Sequence, residues 1–341
     1  MSELLVDRAA TSLDSPWPHR FAVALVCATF PMIWIGGLVT TYGAGMAVPD
    51  WPNTYGYNLF LYPWETWIFG PWKLFIEHGH RLFGTLVGMI SIALVVSSWW
   101  TRARASVRWL SLVALVGVIA QGALGGLRVI EDATQLARIH GCVGPAFFAF
   151  AAALATITSV GWQTTEPVAR PEIPRIERLA ILTTLLAYAQ LVLGSQLRHL
   201  TTSARAGDFR TVLVFHLIVA AALVAHIAML AVRVHRAPGK PAWLSRPALG
   251  LLALVLIQLV LGAGAWVAKY GWPAWLSDYA FAAGHVVGAE TRQQALLVTA
   301  HVATGSLILA VSLLVAVRAG RLAWCSPGLA DRTPLLAGGV R

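Results

Sequence analysis

The sequence predicts an all-α integral membrane protein, with eight transmembrane helices forming two parallel-repeat four-helix bundles. Three observations predict it. Stretches of about 20 apolar residues, the length that crosses a bilayer, recur near 21–40, 79–100, 106–127, 139–160, 179–198, 211–232, 247–268 and 295–317. The chain of 341 residues is 57% hydrophobic and only 12% charged, unlike an ordinary soluble domain. Short strings also recur in alternate spans. QGALGG from Gln121, QLVLGS from Gln190 and QLVLGA from Gln258 each place glutamine four residues before glycine, and IWIGG in the first span is a degraded version.

Taken in order, the first twenty residues are polar, with Asp14, Pro16 and Pro18, so no cleavable signal peptide is expected. Between the first two spans lies the long stretch 41–77, with Trp51, Trp64, Trp67 and Trp72 and four of the chain's seven tyrosines. It reads either as an aromatic belt at the interface or as an ordered lid over the first bundle. The shorter 269–294 loop is its counterpart over the second. The linker between halves is expected at 161–177, which holds Pro167, Pro171 and Pro174, dividing the chain into 1–165 and 166–341. Because four helices make each half, both enter the membrane in the same sense, as a duplication along the membrane normal would give.

The net charge of +10 raises nucleic acid as a partner, but its distribution fits a membrane instead. With the N-terminus inside, the inner segments hold 16 of the 25 lysines and arginines and the outer segments 9, the bias of the positive-inside rule. Both termini are therefore expected in the cytoplasm, with lipid and no nucleic acid around the protein. Cys27, Cys142 and Cys325 show no pairing pattern, and no CxxCH haem-attachment string occurs.

His80, His140, His216 and His301 each stand near the outer start of an even-numbered span. Glycine follows four residues later at Gly84, Gly144 and Gly305, with Ala220 in the remaining case. Four ionisable residues at one depth in a membrane need a reason, since burying them in lipid is costly. Two pairs of axial ligands to haem iron would supply it; interfacial histidines bonded to loops are the plainer alternative. His226 lies about 15 Å deeper than His216, and His19, His199, His235 and His285 read as loop or boundary residues. Glu77 and His80, three apart, share a helix face, whereas His78 points away. Glu77 could orient an imidazole or take a proton, or it could be a solvated carboxylate offsetting the helix dipole. Arg81, Arg128, Arg138 and Arg198 reach the same outer level, where they would meet either haem propionates or lipid headgroups.

GGLVTTYGAGM and PDWP after the first span, the Glu77-x-x-His80-Arg81 string, QGALGGLRV and the three further histidines together resemble the haem A synthase family, over about 21–318. The resemblance implies oxidation of one methyl group of haem O to a formyl group, giving haem A for terminal oxidases in the cytoplasmic (inner) membrane. It implies a haem B cofactor on His216 and His301, substrate haem O on His80 and His140, and Glu77 beside the substrate site. Haem O synthase and oxidase assembly factors are the partners it suggests; an electron donor is also required, and its identity stays open. Many members carry a cysteine pair in the first outer loop, whereas 41–77 here contains no cysteine. Two rivals use the same features differently. A quinol-linked diheme b-type electron carrier would keep both haems permanently, and a transporter would use the repeat with broken midplane helices.

Overall fold

The computed structural model describes residues 13–168, 170–199, 205–238, 242–272 and 291–323. Among them there is no strand, and ten helices follow one another: α1 Pro16–Thr41, α2 Trp64–Ile68, α3 Trp72–Trp100, α4 Ala105–Ile130, α5 Thr134–Thr158, α6 Val160–Thr164, α7 Glu172–Arg198, α8 Ala206–Arg236, α9 Ala242–Tyr270 and α10 Arg292–Ala323. All but α2 and α6 are long and apolar enough to cross a membrane, which makes eight spans. The protein is a multi-pass membrane protein.

Several helices begin earlier than the hydropathy suggests. α3 starts at Trp72, α7 at Glu172 and α8 at Ala206, each continuing beyond its apolar stretch through turns that carry charged residues such as Lys73, Glu172 and Asp208. Pro174 is tolerated in the first turn of α7, where its missing N–H would have no helical partner anyway, and Glu172 suits the positive end of that helix. The linker accordingly shrinks from 161–177 to the stretch between α6 and α7. The lid narrows likewise, ending at Gly70 and Pro71 with α2 inside it. Of the 269–294 loop, 273–290 lie outside the described residues, as do His285 and Cys325.

Helix contacts close into two rings. In the first, α1 packs on α3, α3 on α4, α4 on α5 and α5 back on α1. In the second, α7, α8, α9 and α10 do the same. This is compatible with the expected pair of four-helix bundles. The rings meet through α1, α5, α7 and α10, so α5 and α10 have half of their most apolar stretches buried against 11% for α8. The core of the second ring gathers Ile176, Leu179, Ile227, Leu230 and Leu251, and Phe148 of α5 joins it from the first ring. Hydroxyls inside the spans bond back to their own helices, as Thr29 does to the Leu25 carbonyl and Ser91 to that of Val87. That leaves few polar atoms facing lipid. Paired Arg20–Trp17 and Arg318–Trp243 contacts flank the ends opposite the lid.

Candidate functional site: two opposed histidine pairs

Because α3 and α5 sit diagonally across the first ring, side chains on their inner faces meet at its centre. His80 and His140 do so, with ring centroids 6.3 Å apart and planes inclined at 80°. His216 on α8 and His301 on α10 are diagonal in the second ring and lie close enough to interact electrostatically.

Each imidazole is seated on a glycine of the preceding spanning helix. A methyl group on Gly36 would lie 3.0 Å from His80 Cε1, and one on Gly125 3.2 Å from His140 Cε1. The corresponding distances are 3.3 Å for Gly194 against His216 and 3.0 Å for Gly262 against His301. Only a bare backbone lets the rings come so close. These are the glycines of the four repeated strings, so the repeating unit is a helical hairpin: α1 with α3, α4 with α5, α7 with α8, α9 with α10.

The glutamines of those strings lie against the histidines. Gln190 donates to His216 Nε2 at 3.0 Å and Gln258 to His301 Nε2 at 3.4 Å. The Gln121 side chain donates to the His140 backbone carbonyl at 3.2 Å, while the Gln121 backbone carbonyl faces His140 Nδ1 at 3.2 Å. A nitrogen that accepts a proton-donating bond carries the lone pair that a metal takes. In the first hairpin Met32 occupies the glutamine position. Its terminal carbon approaches Gly84 as the Gln121 and Gln258 amides approach Gly144 and Gly305.

Glu77 is only 1% exposed, which excludes a solvated helix-start carboxylate. It lies 3.3 Å from Arg81 and 3.6 Å from Arg128, and its Oε2 accepts no hydrogen bond. Arg81 also donates to the carbonyls of Val48, Asp50 and Asn53 at 2.6–2.8 Å, clamping the lid onto α3. Arg128 donates to Gly45 of the same lid, and the Trp51 ring covers Gly126, leaving no room for a side chain there. His78 turns away from His80, bonding Thr54 at 2.9 Å among the rings of Tyr62 and Trp67. The lid reading of 42–71 therefore describes the segment better than a simple aromatic belt, although Trp51, Trp64 and Trp72 are also exposed.

The other two arginines join the two halves. Arg138 donates to the His199 carbonyl at 2.8 Å and keeps a buried, unpartnered Nε. Arg198 reaches the Gly37 carbonyl and the Thr41 hydroxyl at 2.5 and 2.6 Å, tying α7 to the end of α1. His226 bonds the Ala222 carbonyl of its own helix at 2.8 Å, and His19 bonds Thr158 at 3.2 Å. Sequence reasoning named Trp51 as part of the lid but missed its seat on Gly126 and the clamp role of Arg81.

The profile of the COX15-CtaA family, cytochrome oxidase assembly protein, matches residues 19–212, more than half of the chain. The chain belongs to this family. The match encloses Glu77, His80 and His140 and ends within α8 just before His216, so the second pair is tied to it through the hairpin repeat. No curated protein matches the chain. Membership supports a role in cytochrome oxidase assembly and bears out the resemblance read from the residues.

The donor sets fit haem. Among the described residues no three or more His, Cys, Asp or Glu side chains converge as a self-sufficient metal site. Two imidazoles alone need a ligand that brings its own equatorial donors. His80 and His140, with ring centroids 6.3 Å apart, would be the residues to hold such a group in the first ring. The Nδ1 atoms of His80, His216 and His301 are buried without a hydrogen-bond partner in the protein.

Proposed function

We propose that this protein is a haem A synthase, oxidising one methyl group of haem O to a formyl group. The single observation that carries the reading is the opposed His80–His140 pair beneath a clamped lid, in the part of the chain that matches the family. On this reading residues 1–165 form the substrate half, where His80 and His140 hold the iron of haem O. Residues 166–341 form the cofactor half, where His216 and His301 hold haem B. Bound haem B would supply one-electron redox chemistry, which no protein side chain offers for an unactivated methyl group.

The chain's own residues orient and exclude water. The lid, fastened by Arg81, Arg128 and Trp51, covers the outer mouth of the first ring. Glu77 is the buried carboxylate one turn before His80, held between two guanidinium groups and suited to stabilising positive charge or passing a proton. Of the four arginines, all of which donate to backbone carbonyls, Arg138 keeps a buried Nε without a partner and is the best disposed to a propionate. We place the protein in the cytoplasmic membrane with both termini inside, served by an electron donor and supplied by haem O synthase.

The test is the ratio of haem O, hydroxylated haem and haem A extracted from cells expressing the wild type or Glu77→Gln. The wild type yields haem A. The variant, which keeps shape and hydrogen-bonding capacity, lowers that yield by about 100-fold, the contribution typical of a proton-transfer group, with haem content retained. Near-normal haem A at normal protein level would remove Glu77 from the reaction. Unmodified haem B alone in the wild type would select a diheme electron carrier instead.

A further inference from the structure

We propose that residues 60–72, the second limb of the lid, are seated in the headgroup layer of the outer leaflet and fasten the lid to the bilayer. The segment reads FLYPWETWIFGPW, and Glu65 is its one charged residue. Its large apolar side chains turn outward. Phe60, Trp64, Ile68 and Trp72 are exposed, Leu61 is 75% exposed and Phe69 78%. A patch of this kind marks a contact with a membrane or with another protein. The first limb differs: its exposed side chains include Asn53 and Asn58, and its carbonyls at Val48, Asp50 and Asn53 are taken by Arg81.

The seat of α2 says what covers the apolar limb. Trp67 stacks on Phe75 with ring centroids 5.8 Å apart, donates to the Phe75 carbonyl at 3.0 Å and flanks Gly79. Trp72 also stacks on Phe75, at 5.4 Å. At helical spacing, Phe75 and Gly79 begin the stripe of α3 that runs on through Leu82 to Leu86, Met89 and Val96. The last three are exposed along the span, so the stripe faces lipid. The short helix α2 therefore lies on the lipid side of the first ring. Its depth follows from the length of α3. The 29 residues of that helix rise about 43 Å, which matches hydrocarbon plus both headgroup layers at about 40–45 Å. Exposed Trp99 and Trp100 mark the inner end. Phe75 and Gly79 stand about 5–10 Å below the outer end, within the interfacial layer where an amphipathic segment rests. The lid is thus held on two sides, by Arg81 at 48–53 and by the leaflet at 60–72.

The experiment uses full-length protein in phosphatidylcholine vesicles, with Cys27, Cys142 and Cys325 replaced by serine. A fluorophore is attached to one introduced cysteine, Phe69→Cys or Asn53→Cys. Two quenchers are compared: phosphatidylcholine brominated on the upper acyl chain, and iodide present on both sides of the vesicle. The Phe69→Cys label is expected to lose most of its emission to brominated lipid and little to iodide, and the Asn53→Cys label to show the reverse. A Phe69→Cys label that iodide quenches as strongly as the Asn53→Cys label would place the face in water and overturn the proposal. One that neither quencher reaches would place a second copy of the chain on the face and overturn it as well. Should Phe69→Cys fail to insert, Leu61→Cys decides by the same outcomes.

Discussion

The two rings are built from the same hairpin and differ in what surrounds the histidines. The first lies beneath a lid fastened by three carbonyl bonds to Arg81 and contains the buried Glu77. The second places a glutamine amide on each imidazole. Repetition supplied the placement of the donors, and local departures from it supplied chemistry. The charged cluster and the clamped lid belong to the first ring, and the amide contacts to imidazole Nε2 to the second.

The comparison breaks most completely at the second pair. His216→Ala or His301→Ala should remove the low-spin absorbance of one haem while leaving that of the first ring. Loss of both signals, or of neither, in purified protein of normal yield would deny that the rings bind separately. Next in size is Arg81→Ala. Removing one partner from the buried Glu77 cluster costs about 3–5 kcal/mol and unfastens the lid. Hydrogen exchange should rise across 45–60 with the second-ring spectrum unchanged. A change in that spectrum would show that the lid's order reaches across the ring interface.

The smallest expected effect lies within the lid. Asp50 accepts from the backbone N–H groups of Tyr55 and Gly56 at 2.8 Å each, in a turn where Gly56 takes a φ of 81°. Partial burial pushes the Asp50 carboxyl up, but those bonds and the nearby Arg81 outweigh it and hold the group below its ordinary 3.8. A depressed pKa contributes stability above the unfolded value that is lost as pH falls through the folded one. Lid exchange should therefore be flat from neutral pH down to the ordinary carboxylate range and rise only below it. Asp50→Asn should abolish that acid step, and a step already present near neutrality would assign it to another group.

Spans, opposed histidines and the covering loop were legible because each is written in periodic or local patterns: apolar length, histidine four before glycine, tryptophans between two spans. The seating glycines were visible as strings, but their contact with the imidazoles was not. A repeat shows that two segments are alike without showing what they touch. Arg81 and Arg198 looked alike in sequence, as basic residues at the outer level. One clamps a loop within its own half and the other ties α7 to α1, a distinction made only by long-range packing. Glu77 looked equally suited to water and to the interior until Arg81, Arg128 and the lid enclosed it.

Seating each imidazole on the helix immediately before it has a consequence for biosynthesis. Gln121 and His140 are 19 residues apart, Gln190 and His216 26, and Gln258 and His301 43. Such local contacts form early and quickly. A nascent chain entering the membrane two helices at a time completes one donor with each hairpin. The first pair is whole once α5 has been translated, before any residue of α7 has left the ribosome, so the amino-terminal half can meet its ligand while the rest is still being made.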